Sequence, residues 1–154
     1  MTTKAVSHFK DLYEKDFVAW ADETAEQLRR GEIDGLDWEH IIEEIEGLGT
    51  SERRKVDSYL AQLLIHLLLY QYWESEREWC ARGWKDEIGN FRLELEFSLE
   101  SRTLYNYFLQ KIDIVYPKSV RRVIEKSELP ASTFPETCPF TPEQLLDNQF
   151  FPPV

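Results

Sequence analysis

The chain has 154 residues, of which 42% are hydrophobic and 31% charged, a composition typical of a globular protein rather than a disordered one. Its formal net charge of −11 argues against a nucleic-acid-binding protein and against adsorption to an anionic membrane. The longest apolar run, residues 59–73, is shorter than the roughly 20 residues that span a bilayer. Cys80 and Cys138 lack metal-ligand spacing, and with no signal-peptide core near the start we expect reduced thiols in a cytoplasmic protein.

Charge and proline are distributed unevenly along the chain. Residues 1–50 contain 13 acidic and 5 basic residues, a net charge of −8, whereas six of the seven prolines lie in the last 25 residues. We therefore expect a single helical domain over residues 1–154. Within it, a helical bundle is expected over 8–128, followed by an extended arm with one short helix over 129–154.

The first predicted helix runs from about Phe9 to Arg30, and Gly31 stands where a glycine commonly ends a helix. Its larger side chains recur at i, i+4, i+7, i+11 and i+15, so they share one face. The residues at these positions are Tyr13, Phe17, Trp20, Thr24 and Leu28. Asp16 is predicted to lie within the same apolar arc.

A second helix is predicted to begin after Asp37, which is a good N-cap residue. Its apolar face is formed by Trp38, Ile41, Ile42 and Ile45. Either Gly47 and Gly49 end this helix, or the same apolar phase carries one kinked helix from 38 to about 76. Residues 59–73 are apolar on all sides, which predicts the central helix of a bundle.

Two further long helices are predicted, over about 79–99 and 103–127. In the first, the residues in phase are Trp84, Ile88, Phe91, Leu95 and Leu99. Pro117 falls within the second, and because proline removes a helical N–H we expect a kink or break near Tyr116. Period-two alternation is not sustained anywhere, so strands are not expected.

The C-terminal arm is predicted to contain a short helix over 142–147. Thr141 and Gln144 have capping-box spacing, and Pro142 takes the first helical position. Four phenylalanines surround this helix and are expected to pack against the helical body: Phe134, Phe140, Phe150 and Phe151. The predicted fold class is therefore all-α, an antiparallel four- or five-helix bundle with a proline-rich C-terminal arm packed on it.

Several motifs together resemble a known family over nearly the whole chain. The most specific are Asp16-Phe17 with Trp20, the acidic run EEIE at 43–46, His66 within its leucine run, and Phe134-Pro135 with Cys138-Pro139. They resemble the domain-of-unknown-function 29 family, small helical proteins of bacteria and largely of cyanobacteria. The resemblance implies a helical fold and, because no activity is established for that family, no particular chemistry.

Five polar residues at or inside predicted apolar faces form a candidate polar site. They are Asp16, Glu44, Glu46, His66 and Arg92. On the second helix, Glu44 and Glu46 flank the apolar stripe, whereas His40 and Glu43 are predicted to point away from it. Because a buried carboxylate is costly unless it is paired, the favoured interpretation is a structural network in which these acids pair with Arg92, Arg53 or His66.

The alternative interpretation is a metal or acid–base site. Carboxylates and imidazole suit Fe, Mn or Zn, and Glu44 or Glu46 with His66 and Asp16 is the set that a metal-binding or hydrolase-like bundle would use. However, a di-iron bundle needs Glu-x-x-His on two helices, and no histidine here has a glutamate three residues before it. We therefore predict no metal and no cofactor, and an enzyme is the less favoured class.

An aromatic cluster where the central helix meets the next one is the candidate partner surface, although helix packing is its more ordinary role. Its members are Tyr72, Trp73, Trp79 and Trp84. The leading functional hypothesis is a non-enzymatic protein-interaction module. It would bind a protein partner or a second copy of itself, with the acidic first third of the chain tuning specificity.

Overall fold

The computed structural model describes the backbone of residues 2–154 and the side chains of residues 7–154. Every element in that part of the chain is helical, so the all-α fold class is confirmed. The helices are α1 (Thr2–Lys15), α2 (Phe17–Arg29), α3 (Trp38–Tyr72), α4 (Glu74–Ser98), α5 (Arg102–Ser127) and α6 (Pro142–Leu146), with a short 3-10 helix at Ala131–Thr133.

The chain divides into two compact units, Met1–Thr50 and Ser51–Val154. Helices α1 and α2 and the first turns of α3 belong to the first unit, and the remaining elements belong to the second. Each unit has its own cluster of buried apolar side chains. The expectation of a single domain over residues 1–154 stays a prediction.

The helix expected over 9–30 is two helices, because Asp16 interrupts it. The backbone of Asp16 has φ −150° and ψ 86°, and its Oδ1 accepts a hydrogen bond of 3.1 Å from the N–H of Ala19. Asp16 is thus the exposed N-cap of α2, and its expected place inside a continuous apolar arc is wrong. A short polar side chain that binds the local backbone favours caps over helix interiors.

The first unit has a small core. Its buried apolar residues are Phe9, Trp20, Leu36 and Ile41. Of the predicted α2 face, Trp20 and Thr24 are buried, but Phe17 is 47% and Leu28 45% exposed. Gly31 follows α2 with φ +71°, a left-handed conformation that glycine adopts without strain, so the predicted end of this helix is confirmed.

Helix α3 continues from Trp38 to Tyr72, which decides the open choice in favour of one helix. Asp37 stands before it, and its Oδ1 accepts a long hydrogen bond of 3.4 Å from the N–H of His40. Gly47 and Gly49 lie inside the helix, although a helix-interior glycine costs roughly 0.5–1 kcal/mol relative to alanine. The long apolar segment that follows sustains the helix through both glycines.

The second unit is built around the middle of α3, as predicted from its all-round apolar sequence. The fully buried residues there are Val56, Leu60, Leu63, Leu64, Leu67, Leu68 and Leu69. From α4 and α5, the core receives Trp84, Ile88, Leu95, Leu104, Phe108, Ile112, Val115, Tyr116 and Val123. From the C-terminal segment, it receives Phe134, Phe140 and Leu145.

A single residue, Trp73, separates α3 from α4. Arg77 of α4 donates from Nε to the carbonyl oxygen of Tyr70 at 2.8 Å and from Nη2 to that of Gln71 at 2.7 Å. These bonds satisfy carbonyls that the end of a helix would otherwise leave without a donor. Helix α4 therefore begins at Glu74, earlier than the predicted start near residue 79.

Helix α5 continues through Pro117, so of the predicted kink or break near Tyr116 the break is excluded. Pro117 and Asp113, whose carbonyl loses its N–H donor, are both exposed, and water can satisfy that carbonyl. The helix ends at Ser127, and the next residue, Glu128, has φ +59°, a left-handed conformation that is strained for a residue with a Cβ.

The C-terminal segment has the predicted capping box at the start of α6. The Oγ1 of Thr141 accepts the N–H of Gln144 at 3.1 Å, and the Oε1 of Gln144 accepts the N–H of Thr141 at 3.0 Å. Further back, the hydroxyl of Tyr116 donates to the carbonyl oxygen of Pro135 at 2.7 Å. Of the four phenylalanines, Phe134 and Phe140 are buried, and Phe150 and Phe151 are partly buried.

Candidate interaction surface

Glu44 lies in a polar and aromatic cluster of the first unit. Its Oε1 accepts a hydrogen bond of 2.5 Å from the hydroxyl of Tyr13, and this bond, above all other causes, raises the pKa of Tyr13 to about 12. The Tyr13 ring stacks on the ring of His40 with centroids 3.7 Å apart. Glu44 is thus paired with a phenol, and the predicted pairing with Arg92, Arg53 or His66 is wrong for this residue.

His40 and Asp37 complete the cluster, and both were missed as partners by sequence reasoning. His40 Nδ1 lies 2.5 Å from Oδ2 of Asp37, whose side chain is fully buried. The prediction that His40 faces solvent is wrong, because its side chain is only 16% exposed. The spacing of Asp37 and His40, three residues apart at a helix start, was the available signal. These contacts fix the start of α3 against Tyr13.

His66 lies in the second unit and bonds to its own helix. Its Nδ1–H donates to the carbonyl oxygen of Gln62 at 2.7 Å, and its ring lies 5.2 Å from that of Phe91. Burial lowers the pKa of His66, although the bond to Gln62 acts in the opposite direction. The predicted carboxylate partner is replaced by a main-chain carbonyl, so His66 is a partly buried histidine with a local acceptor.

Arg92, 2% exposed on α4, holds the main chain of the C-terminal segment. Its Nε donates to the carbonyl of Leu145 and its Nη1 to that of Phe150, both at 2.8 Å, and its Nη2 to that of Gln144 at 3.1 Å. Arg92 also lines a cavity of about 410 Å³, and three of its five N–H donors bind these carbonyls. The expected carboxylate partner is therefore wrong for Arg92, whose role is to hold a backbone.

The remaining predicted polar residues have separate places. Asp16 caps α2, Glu46 is exposed, and the guanidinium of Arg53 lies 5.9 Å from the ring centroid of Tyr107. Within the described residues, no group of three or more histidine, cysteine, aspartate or glutamate side chains is arranged to hold a metal ion. Four of the five candidate residues thus have separate partners, Glu46 has none among the described side chains, and their assignment to one functional site stays a hypothesis.

The aromatic cluster predicted as a partner surface is largely packed inside the second unit. Trp84 is 7% exposed and stacks on Trp73 with centroids 6.0 Å apart, while Tyr72 contacts the ring of Phe134 edge-on. Trp79 alone is open, with 78% of its surface exposed. Three of the four aromatics therefore pack against neighbouring rings, which leaves Trp79 as the exposed member of the predicted surface.

A different apolar surface is exposed at the start of α3. Of the face predicted to pack inward, only Ile41 is buried. Trp38 is 48% exposed, Ile42 53%, Ile45 63% and Leu48 69%. We call these four residues the α3 stripe, and they were missed as a surface because their spacing is that of a helix face that normally lies in a core.

A family model, described as Domain of unknown function DUF29, matches residues 12–151. No curated protein and no solved structure matches the chain. In the part of the chain that the structure describes, none of the helices is both long enough and apolar enough to cross a membrane. The match to the DUF29 family model covers nearly the whole sequence and confirms the resemblance identified from the motifs. The chain belongs to the DUF29 family.

Proposed function

We propose that this protein is a non-enzymatic interaction module that binds a protein partner through the α3 stripe. The observation that carries the proposal is the exposure of four large apolar side chains, Trp38, Ile42, Ile45 and Leu48, along three turns of one helix. Scattered apolar side chains are normal on a protein surface, but a contiguous apolar stripe marks an interaction site. The proposal keeps the predicted function and places its surface on α3.

The helical phase of α3 supports this function. At 100° per residue, Trp38, Ile42 and Ile45 fall within an arc of about 60°. Ile41 of the same segment is buried in the first unit, whereas these three side chains are exposed. An uncovered apolar helix face of this kind is the surface expected of a helix that packs against another protein.

The free energy available at the stripe is large enough for binding. Burying one large aliphatic or aromatic side chain contributes roughly 1.5–3 kcal/mol. The four side chains are each about half exposed or more, so a partner that covers them gains several of these contributions. Trp38, Ile42 and Ile45 have the spacing i, i+4 and i+7, which is the spacing of the side chains by which helices dock in grooves.

The arrangement of the second unit is part of the proposal. We propose that α3, α4 and α5 pack as antiparallel neighbours, because one residue joins α3 to α4 and three join α4 to α5. The proline-rich residues 129–154 would form an arm on these helices, supported by the burial of Phe134, Phe140 and Leu145. A cytoplasmic setting is also proposed, supported by the two free thiols, Cys80 and Cys138.

Site-specific photocrosslinking in the producing cell tests this function. A photoreactive phenylalanine analogue at position 42 is expected to give crosslinked protein adducts that Ile45→Glu removes. The matched control places the analogue at position 114 on α5, where Ile114 is 52% exposed, as Ile42 is 53%. Equal adducts at both positions, or adducts at position 42 that survive Ile45→Glu, contradict the proposal.

A further inference from the structure

The charges around the α3 stripe point to the class of partner. We infer that the stripe binds a basic amphipathic helix, that is, a helical segment with one apolar face flanked by lysine or arginine. This inference rests on the proposed function and adds the chemistry of the occupant. The observation behind it is that residues 37–50 contain five acidic residues and neither lysine nor arginine.

Three of these five carboxylates have partners in the first unit. Asp37 contacts His40, Glu39 accepts a hydrogen bond of 2.8 Å from Nζ of Lys10, and Glu44 accepts one from Tyr13. Lys10 compensates the charge of Glu39, whereas the carboxylates of Asp37 and Glu44 are held by hydrogen bonds within the first unit.

Glu43 and Glu46 are different. Both are exposed, and among the described side chains neither has a hydrogen-bond or ion-pair partner. At 100° per residue, Glu46 lies about 40° from Ile42 around the helix, and Glu43 lies about 100° from it. They form an acidic border on one side of the stripe, where a bound helix would place its polar flank. A basic flank of the partner is attracted electrostatically to that border. This attraction weakens as the salt concentration rises.

A second copy of this chain is a poor occupant for the same reason. Pairing two stripes, in either direction, brings the acid-only segment 37–50 against itself, with no lysine or arginine in either segment to compensate. Like charges in such an interface oppose association. The first unit as a whole strengthens this argument, since residues 1–50 carry a net charge of −8.

The geometry fits a helix of ordinary length. The stripe from Trp38 to Leu48 spans eleven residues, or about 15 Å along the helix axis at a rise of 1.5 Å per residue. A partner helix covers that length with three turns, using apolar residues at i, i+3 or i+4, and i+7. Its lysines or arginines would flank the apolar face so that one row faces Glu43 and Glu46.

Three synthetic peptides provide the test, with binding to the full chain followed by fluorescence anisotropy. The first is a helical heptad peptide with leucine at the a and d positions and lysine elsewhere. The second replaces every lysine with glutamate and keeps the apolar face. The third has the composition of the first in a scrambled order that disperses its apolar face. We expect the first peptide to bind at least about tenfold more tightly than either of the others, a difference of about 1.4 kcal/mol.

Variants of the protein locate the binding site. Ile42→Ser with Ile45→Ser is expected to weaken binding of the first peptide at least about tenfold. The control, Leu109→Ser with Ile114→Ser, changes two apolar side chains of α5 that are 40% and 52% exposed, outside the stripe, and is expected to leave binding unchanged. Glu43→Gln with Glu46→Gln is expected to weaken binding and to reduce its dependence on salt.

The outcomes separate this inference from the proposed function. Equal or tighter binding of the glutamate peptide, lost in the Ile42/Ile45 variant, overturns the basic class and leaves the stripe as the docking surface. Concentration-dependent dimers lost in that variant, seen by light scattering, also overturn it in favour of a second copy. Binding of the lysine peptide that is unchanged by the Ile42/Ile45 variant overturns both the inference and the surface.

Discussion

The Nε atom of Arg92 and the carbonyl oxygen of Leu145 lie 2.8 Å apart, joining positions separated by 53 residues in the sequence. Leu145 itself is fully buried in the second unit. One guanidinium group thus orients the backbone of the C-terminal segment while the side chain beside it fills the core. Because a guanidinium has five N–H donors in a fixed planar arrangement, it serves three carbonyls at once, which lysine cannot do in the same geometry.

Arg92→Met is expected to lower the free energy of unfolding by about 2–4 kcal/mol, because it leaves the carbonyls of Gln144, Leu145 and Phe150 without their donor. Urea unfolding followed by circular dichroism measures the change. Arg82→Met, on the exposed face of the same helix, is the matched control and should stay within about 0.5 kcal/mol of the original protein. An unchanged midpoint for the Arg92 variant would refute the role assigned to these bonds.

The raised pKa of Tyr116 predicts that the protein loses stability at high pH. Burial raises its pKa to about 12, so the folded state favours the neutral phenol, which donates to the carbonyl of Pro135. The stabilising contribution is complete below the ordinary tyrosine pKa of about 10 and is lost as the pH rises through about 12. Tyr116→Phe is expected to flatten the decline of the unfolding free energy between those pH values. The control is Tyr105→Phe on the same helix, which should keep the decline.

The lowered pKa of His66 predicts that the protein loses stability at acidic pH. Because burial lowers the pKa of His66, the unfolded chain binds a proton more readily than the folded one as the pH falls below about 6.5. Stability is therefore complete above that pH and falls as the pH drops through the folded-state pKa. His66→Leu should be less sensitive to acid than the original protein, as measured by melting temperature between pH 8 and pH 5. His8→Leu, at an exposed position, should follow the original protein.

Asp37 should stabilise the start of α3. Asp37→Ala removes both the N-cap acceptor and the buried partner of His40, and we expect the free energy of unfolding to fall by about 1–2 kcal/mol. Asp34→Ala, an exposed aspartate in the preceding turn, gives the matched comparison and should have little effect. Equal urea midpoints for the two variants would show that the cap contributes nothing measurable.

Glu128 offers a stabilising substitution. Its φ of +59° costs a residue with a Cβ roughly 1–2 kcal/mol relative to glycine, so Glu128→Gly is expected to raise the free energy of unfolding by about 1 kcal/mol. Gly31→Ala is the converse test, because Gly31 has φ +71°, and should lower stability by a similar amount. A lower melting temperature for Glu128→Gly would contradict this account of the α5 end.

Periodicity predicted the parts of the fold in which burial decides the structure. The segment around Leu64 is apolar on every side and is the centre of the second unit. Local chemistry was harder to weigh. Tyr13 and Trp20 are seven residues apart and suggest one helix, but Asp16 satisfies the N–H of Ala19 and starts a new one. Pro117 suggested a kink or break, yet the helix is not broken there, because the exposed position of Pro117 makes the missing hydrogen bond inexpensive.

The hydrogen-bond partners of the candidate site could not be predicted from the sequence, for a different reason. The acids were predicted to pair with charged side chains, but Glu44 pairs with the hydroxyl of Tyr13 and Arg92 with main-chain carbonyls. Main-chain acceptors leave no signature in a sequence, because every residue carries one. The exposure of Ile42 and Ile45 was also beyond prediction, since an apolar helix face looks the same whether the same chain or another molecule covers it.

The junction at Trp73 has a consequence for how the chain can be cut or rearranged. With one residue between two helices and Arg77 bonded across the turn, no extended stretch is available there for a protease to bind. The segment between Arg29 and Trp38, by contrast, is exposed over most of its length and belongs to no helix. Nicking by trypsin should therefore begin near Arg30, and inserted sequences or new chain ends would be tolerated there and not at Trp73.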